Sequence, residues 1–305
     1  MTDCSATKLE FQGQGSRRFE ADFRGGRVTS DAGLLLLHQV ASTYDVFERF
    51  AGCFTDYRDP DRLDHSVREI IAQRVLGLCC GYEDQNDHDS LRDDTLLAAV
   101  VGKKDPTGKD RKRERDQGHP LASKATLNRL ERTPPASSEA ARYHKVVYHE
   151  EAIRDFFIDL YMDSVDEAPE EIILDADATD DPVHGRQEGR FFHGYYGHYC
   201  YMPLYIFAGD ELLWAQLRPA NIDGAEGSVG AIVRIVERIR RRWPKVRFIV
   251  RGDSGFARDD LMHWCEENEV DYVLGLARNE RLHAELAELL SQAKAQHEKS
   301  GEAVR

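Results

Sequence analysis

Two aspartates stand where buried strands are predicted to end. Asp177 closes the apolar run at 172–178, and Asp253 follows the apolar run at 246–250. A carboxylate at the edge of an apolar sheet costs desolvation energy unless a cation or hydrogen bonds compensate. Magnesium or manganese is the usual cation for such oxygens. Two metal ions held by shared carboxylates activate a water and stabilise the leaving oxygen at a phosphodiester.

Each acid, taken singly, equally fits a helix cap or a turn. Only their joint placement favours a metal site, because the two strands that precede them can lie side by side. Asp175 projects to the same strand face as Asp177, since side chains alternate along a strand. We therefore predict Asp177 and Asp253 as catalytic metal ligands, with Asp175 supporting them from behind.

The order of elements after residue 169 predicts how these acids are positioned. Three strands come first, including an aromatic-rich one at 199–207, and helices then alternate with strands up to a last charged helix. Such an order indicates an α/β fold with a mixed sheet and helices on its faces.

The residues before this sheet are predicted to be mainly helical, after a polar, extended arm at 1–28. A helix is expected from Asp31 to about residue 47, and another after Ser66, whose spacing to Glu69 has the form of a capping box. A short helix is expected to run from Asp94 and to end at Gly102. Ser138 is predicted to open one long helix through 146–160.

Basic residues cluster twice. Residues 103–120 lack a periodic apolar face and contain a run of basic residues. Such a run is more often a solvated loop. The alternative is a loop that contacts DNA phosphates. The second cluster follows one face of a predicted helix, with the same two alternatives. The DNA-binding candidates are Arg111, Lys112, Arg113, Arg234, Arg238, Arg241 and Arg242.

Composition excludes several classes of protein. The 305 residues carry a formal net charge of −14, which argues against coating nucleic acid through bulk charge but leaves room for a local basic groove. No apolar run approaches the roughly 20 residues that span a bilayer, and the N-terminus lacks the pattern of a signal peptide. A cytoplasmic protein with no membrane partner is expected.

Zinc has little support in the sequence. The six cysteines form no C-x-x-C pair, so a zinc ribbon or finger is excluded on spacing, and reduced thiols are expected. His184, His193, His198 and the nearby Cys200 match no standard ligand spacing. The aromatic residues between them suit either a core strand or base stacking.

Long segments of the chain resemble bacterial insertion-sequence transposases of the DDE class, specifically the insertion sequence thirteen-eighty branch. The segments are RVTSDAGLLLL, HSVREIIAQRVLGLCCGYEDQNDHDSLRDD, ASKATLNRLER, LDADATDDPVHGRQEGRFFHGYYGHYCYMPLYIFAGD and VRGDSGFARDDLMHWCEENEVDYVLGLARNERL. The resemblance implies a ribonuclease H-like core, magnesium-dependent cleavage at element ends and strand transfer. It also implies double-stranded DNA as partner and a homodimer on DNA. The first two acids of the DDE triad then fall on Asp177 and Asp253.

The third acid of that family is a glutamate on a helix beyond the last core strand. Glu280, Glu285 and Glu288 follow the last predicted strand closely, but their surroundings do not resemble that helix. We therefore expect a chain that lacks the third ligand and is truncated at its C-terminal end. The alternatives are a catalytically inactive DNA-binding remnant and a metal-dependent nuclease that acts outside transposition.

Four regions are predicted from these patterns. Residues 1–102 form a helical region that binds the DNA ends, and 103–122 form a basic loop or linker. Residues 123–168 form a helical connection, and 169–305 form the incomplete catalytic core.

Overall fold

The computed structural model describes residues 9–14, 17–21, 29–134, 136–277 and 279–301. Two units divide the chain, Met1–Ser164 and Val165–Arg305. Among the described residues, none of the helices combines the length and the apolarity that crossing a membrane requires.

The first unit is mainly helical, with two small antiparallel strand pairs, β1 with β2 and β3 with β4. The predicted arm is described only where it forms the β1–β2 hairpin. The elements of this unit are β1 (Leu9–Gln14), β2 (Arg17–Ala21), α1 (Leu34–Thr43), α2 (Val46–Ala51), β3 (Phe54–Asp56), α3 (Val67–Cys79), α4 (His88–Leu91), α5 (Thr95–Val101), α6 (Lys124–Glu131), β4 (Val146–Tyr148) and α7 (Glu150–Ser164).

Local capping signals are confirmed in this unit. The Ser66 side chain accepts a hydrogen bond from the Glu69 amide at 3.2 Å, and the Glu69 carboxylate accepts one from the Ser66 amide at 2.9 Å. This reciprocal pair is the capping box that opens α3. Asp94 caps α5, and the helix ends at Gly102 with a φ of 102°, a conformation that favours glycine.

Two helix predictions are wrong in extent. The helix expected from Asp31 to residue 47 is broken into α1 and α2, because Asp45 adopts a left-handed conformation with a φ of 49°. The long helix expected from Ser138 is replaced at its start by β4, in which Val147 pairs with Thr55 of β3. β-Branched valines suit a buried strand once a partner is present, and only the distant β3 supplies one.

The second unit contains a five-stranded sheet. Its elements are β5 (Glu171–Ala178), β6 (Asp181–Pro182), β7 (Phe191–His193), β8 (His198–Tyr201), β9 (Leu204–Ala208), β10 (Glu211–Gln216), α8 (Ser228–Arg242), β11 (Arg247–Gly252), α9 (Asp259–Glu267), β12 (Val270–Leu274) and α10 (Glu280–Ser300).

The strand order β10-β9-β5-β11-β12 matches the fold predicted from the sequence. The first three strands are antiparallel neighbours, and β11 and β12 run parallel to β5. This is the ribonuclease H-like arrangement of a mixed sheet, so the predicted fold class is confirmed. The aromatic strand predicted at 199–207 is instead two strands, β8 and β9, and β8 joins a separate sheet with order β6-β8-β7.

One face of the sheet is buried and the other is half-exposed. Leu174, Phe248 and Val250 are fully buried, and Arg240 of α8 lies 5.5 Å from the Phe248 ring. Residues of the opposite face alternate with these and include Asp175, which is half-buried, and the exposed Asp177. The alternation places the candidate acids on the side of the sheet that water reaches.

Candidate active site

Asp177 and Asp253 occupy equivalent positions on neighbouring parallel strands. The register pairs Asp175 with Arg251 and Ala176 with Gly252, so the next residue on each chain is an aspartate. Neighbouring strands lie about 4.8 Å apart, and both aspartates are exposed. Asp177 and Asp253 therefore directly follow paired residues at the carboxyl ends of β5 and β11.

Asp175 forms an ion pair with Arg251, its register partner on β11, two residues before Asp177 and Asp253. The Arg251 guanidinium donates to both carboxylate oxygens, through Nε to Oδ1 and through Nη2 to Oδ2, the latter at 2.7 Å. This pairing raises the pKa of Arg251, first through the hydrogen bond and then through the charge of Asp175. Arg251 thus neutralises the charge of Asp175. The next acids at this edge of the sheet are then Asp177 and Asp253.

Glycines shape the turn that carries Asp253. The Gly275 amide donates to the Gly252 carbonyl at 3.0 Å, which brings the chain after β12 against the turn after β11. A Cβ added to Gly275 would lie 2.8 Å from the Ser254 amide nitrogen, and one added to Gly255 would lie 2.9 Å from the Asp253 Oδ1. The contact at Gly275 is with backbone, so any other residue there must move the Asp253 turn, whereas a residue at Gly255 needs only a shift of the Asp253 carboxylate. Sequence reasoning missed this role of Gly275.

A histidine–aspartate pair lies in the aromatic segment that follows β5. His198 and Asp180 are joined by a hydrogen bond of 2.6 Å between Nε2 and Oδ2. The Tyr196 ring lies between those of His193 and His198, at centroid distances of 4.9 and 6.1 Å. Burial raises the pKa of Tyr196, and the charges of Asp180 and, more weakly, Asp177 add to this effect. The hydrogen bond between His198 and Asp180 joins residues 18 positions apart, which the sequence alone did not indicate.

The residues considered for zinc are placed differently from a ligand shell. His198 bonds to Asp180, Cys200 is fully buried, and burial raises the pKa of its thiol. In the ranges that the structure describes, no three His, Cys, Asp or Glu side chains form a group that could hold a metal ion.

The basic candidates of the second unit follow one face of α8. Arg234 and Arg238 are half-buried, whereas Arg241 and Arg242 are exposed. The neighbouring Arg240 donates to the carbonyls of Asn268 and Glu269, so it fastens α8 to the turn before β12. A DNA-binding role for the other four stays a prediction.

The basic candidates of the first unit are not equivalent to one another. Arg113 is exposed, and Lys112 donates to the Asp61 carbonyl at 3.3 Å. The Arg111 side chain is only 10% exposed and donates to His65. The segment that contains them is therefore partly built into the unit.

The chain as a whole matches the sequence profile of the family described as Transposase DDE domain group 1, over residues 11–305. The protein therefore belongs to this family of DDE transposase domains. No curated protein matches the chain.

Two solved structures show a distant likeness. One is the piggyBac transposase synaptic complex with hairpin DNA, with 14% identity, 85% of this chain and 53% of that chain covered, and a TM-score of 0.39. The other is the Mos1 transposase paired-end complex with left transposon end, with 12% identity, 83% and 61% covered, and a TM-score of 0.25. This chain thus spans less than two thirds of either protein, and such distant likenesses carry no argument about its chemistry.

Proposed function

We propose that this protein acts as a DNA transposase of an insertion sequence, which cuts phosphodiester bonds at the element ends and transfers the strands. Membership of the DDE transposase family supports the reaction class. The observation that supports particular residues is the register of β5 and β11, which pairs Ala176 with Gly252, the residues just before Asp177 and Asp253. Double-stranded DNA is then the substrate, as element ends and as target.

The cofactor proposed is Mg²⁺ or Mn²⁺, held by Asp177 and Asp253. Magnesium sites in phosphoryl-transfer enzymes use one or two carboxylates together with waters and substrate phosphates, and two exposed adjacent carboxylates fit that donor set. The bound metal would supply Lewis-acid stabilisation of the charge on the phosphate. The ion pair of Asp175 and Arg251 joins β5 to β11 just before the two aspartates. These two residues would therefore position the metal ligands without contacting the metal.

The insertion sequence thirteen-eighty branch is proposed on the sequence segments alone. We also propose that the third carboxylate is not one of Glu280, Glu285 and Glu288. All three are exposed on α10, a helix that has no buried residue. Asp177 and Asp253 without a third carboxylate would bind metal but cut DNA slowly. The alternative function is a DNA-binding remnant without catalysis. A homodimer on DNA and a cytoplasmic location stay predictions.

Metal binding and DNA cutting test these proposals together. Mn²⁺ is titrated into the protein and followed by electron paramagnetic resonance. Linear DNA that carries the sequences flanking the coding region is then incubated with protein and Mg²⁺. We expect Asp177→Asn and Asp253→Asn to weaken Mn²⁺ binding at least tenfold and to abolish any cleavage, with DNA binding retained. Asp210→Asn, in the exposed turn between β9 and β10, is the matched control.

The outcomes separate the candidate functions. Wild-type cleavage that both asparagine variants lose supports the transposase. Mn²⁺ and DNA binding without any cleavage favours the inactive remnant. Wild-type cleavage rates in both variants would overturn the assignment of Asp177 and Asp253. Light scattering with and without DNA measures whether two chains assemble.

A further inference from the structure

The first unit contains a cavity of about 730 Å³ whose wall is strongly cationic. It lies between the segment that precedes α3, the 103–120 segment and the start of β4. Its described lining includes eight arginines and one lysine against three aspartates. This concentration stands out in a chain whose formal net charge is −14, because the rest of the chain must be correspondingly acidic.

Two of these arginines are partly buried and are not fully hydrogen-bonded. The Nε atoms of Arg92 and Arg111 are both buried and have no hydrogen-bond partner. Their carboxylate neighbours are distant, with Arg92 Nη2 at 3.9 Å from Asp116 and Arg111 Nη2 at 3.7 Å from Asp64. Both distances exceed that of a hydrogen bond. A buried N–H group that lacks an acceptor is costly, so the cavity is short of acceptor oxygens.

His65 is affected both by burial and by the positive charge of the cavity wall. Its Nε2 accepts a hydrogen bond of 3.0 Å from Arg111, which requires a neutral imidazole. Burial, followed by the charges of Lys103, Arg111, Arg58 and Arg92, lowers the pKa of His65 to about 2. His65 therefore holds Arg111 in place without adding a charge of its own.

The segment that carries Arg111 is held firmly. Asp105 accepts hydrogen bonds from the amides of Thr107, Lys109 and Asp110. Lys103 is buried and donates to Glu69 and to the Asp64 carbonyl, both at 2.9 Å. The guanidinium of Arg111 is thus fixed before any ligand arrives, which lowers the entropy cost of binding.

An aromatic ring that lines the cavity lies close to two further arginines. Tyr143 is 53% exposed, and the guanidinium carbons of Arg129 and Arg142 lie 5.4 and 4.9 Å from its centroid. All three residues line the cavity. Arginine forks suit phosphate oxygens, and an exposed ring suits a base or sugar next to that phosphate.

We propose that this cavity is a phosphate-binding site, in which Arg111 and Arg92 hold one phosphate group of the DNA strand that the protein binds. The DNA source of the phosphate rests on the proposed function, whereas the phosphate site itself does not. A free phosphate anion has the same chemistry, and the experiment separates the two sources.

The first arm of the test uses inorganic phosphate alone. Calorimetric titration at low ionic strength is expected to show one saturable site in the wild-type protein. Arg111→Gln and Arg92→Gln are each expected to weaken that site at least tenfold, and Arg111→Lys to weaken it less, because lysine keeps the charge but loses the fork. Arg154→Gln, which removes the same charge from α7 outside the cavity, is the matched control.

Circular dichroism shows whether each variant is folded. If Arg111→Gln does not fold, Arg92→Gln provides the test of phosphate binding. The absence of saturable phosphate binding in the wild type overturns the proposal. Equal binding in wild type and in the folded cavity variants also overturns it.

The second arm uses DNA that carries the flanking sequences, followed by fluorescence anisotropy over a range of salt concentrations. Loss of one phosphate contact lowers the slope of log affinity against log salt by about one unit. We expect that change in Arg111→Gln and not in Arg154→Gln. Phosphate binding that depends on Arg111, together with an unchanged DNA slope, would assign the cavity to a free anion and overturn its assignment to DNA.

Failure of this site and failure of the proposed function are distinguishable. The phosphate titration involves neither DNA nor the acids of the sheet. Asp177→Asn is expected to bind inorganic phosphate as the wild type does, whatever its effect on cleavage.

Discussion

The acidic sheet edge of the second unit and the cationic cavity of the first unit both hold like charges close together. At the sheet edge, Asp177 and Asp253 are exposed, so water solvates both carboxylates until a cation binds. In the cavity, Arg111 is nine-tenths buried, and protein groups leave its Nε unsatisfied. The difference between the two sites shows that solvation decides how much free energy a cluster of like charges costs when no counter-ion is bound. The cavity carries the higher cost, because protein groups leave the Arg111 Nε unsatisfied.

The acidic sheet edge depends on the packed core beneath the five-stranded sheet. Phe248 is fully buried on β11, and replacing a buried phenylalanine by alanine costs about 3–5 kcal/mol. We expect Phe248→Ala to lower the free energy of unfolding by that amount in urea. Tryptophan fluorescence follows this unit, because Trp214, Trp243 and Trp264 are the only tryptophans of the chain. Phe192→Ala, at a ring that is 57% exposed, should change the midpoint little.

The geometry of the sheet edge is tested next, through Gly275. An alanine there must push against the turn of Asp253, and a displacement of about 1 Å at a catalytic group costs about 10²-fold in rate. We expect Gly275→Ala to lower DNA cleavage by that factor while DNA binding stays at the wild-type level. Gly230→Ala in α8, where an added Cβ meets no atom within 4 Å, is the control. Unchanged cleavage in Gly275→Ala would show that Asp253 does not need this turn.

The burial of His65 beside the cavity should make the free energy of unfolding depend on pH. The pKa of His65 falls from 6.5 to about 2 on folding, so the unfolded state binds the proton more readily between these values. Its contribution to stability is fully present above pH 6.5 and declines as the pH falls towards 2. Between pH 7 and pH 5 the wild type should lose about 2 kcal/mol more than His65→Gln.

Urea unfolding at each pH, followed by circular dichroism, measures this difference. His149→Gln, at an exposed histidine of the same unit, is the matched control. Parallel curves for the wild type and His65→Gln would mean that the cavity imposes no charge penalty on His65.

The smallest expected effect concerns the helix next to the cavity. Ser66→Ala removes the side-chain acceptor of the capping box, a change that costs about 1 kcal/mol. We expect faster hydrogen exchange in the first turn of α3, with tryptophan fluorescence of the second unit unchanged. A protected first turn in the variant would show that contacts of Lys103 with Glu69 suffice to hold it.

Much of the sheet of the second unit was predictable from the sequence, because its signals are local. An apolar run that ends in an acid predicts a strand with a carboxylate at its end, and this held for β5 and β11. The order of strands and helices then constrained the sheet. The roles of Gly275 and of the His198–Asp180 pair depend on contacts between separate segments, so no local pattern indicated them.

Sequence alone determined the class of the sheet, the capped ends of α3 and α5, and the two aspartates at neighbouring strand ends. These depend on periodicity and on spacings of a few residues, which the sequence displays directly. Tertiary structure alone decided that the basic segment at 103–120 is partly built into the unit and that Arg111 meets His65, 46 residues away. The physical reason is that burial of a charge depends on which distant groups surround it. The same run of arginines and lysines is compatible with a solvated loop or with the wall of a cavity until the fold brings those groups together.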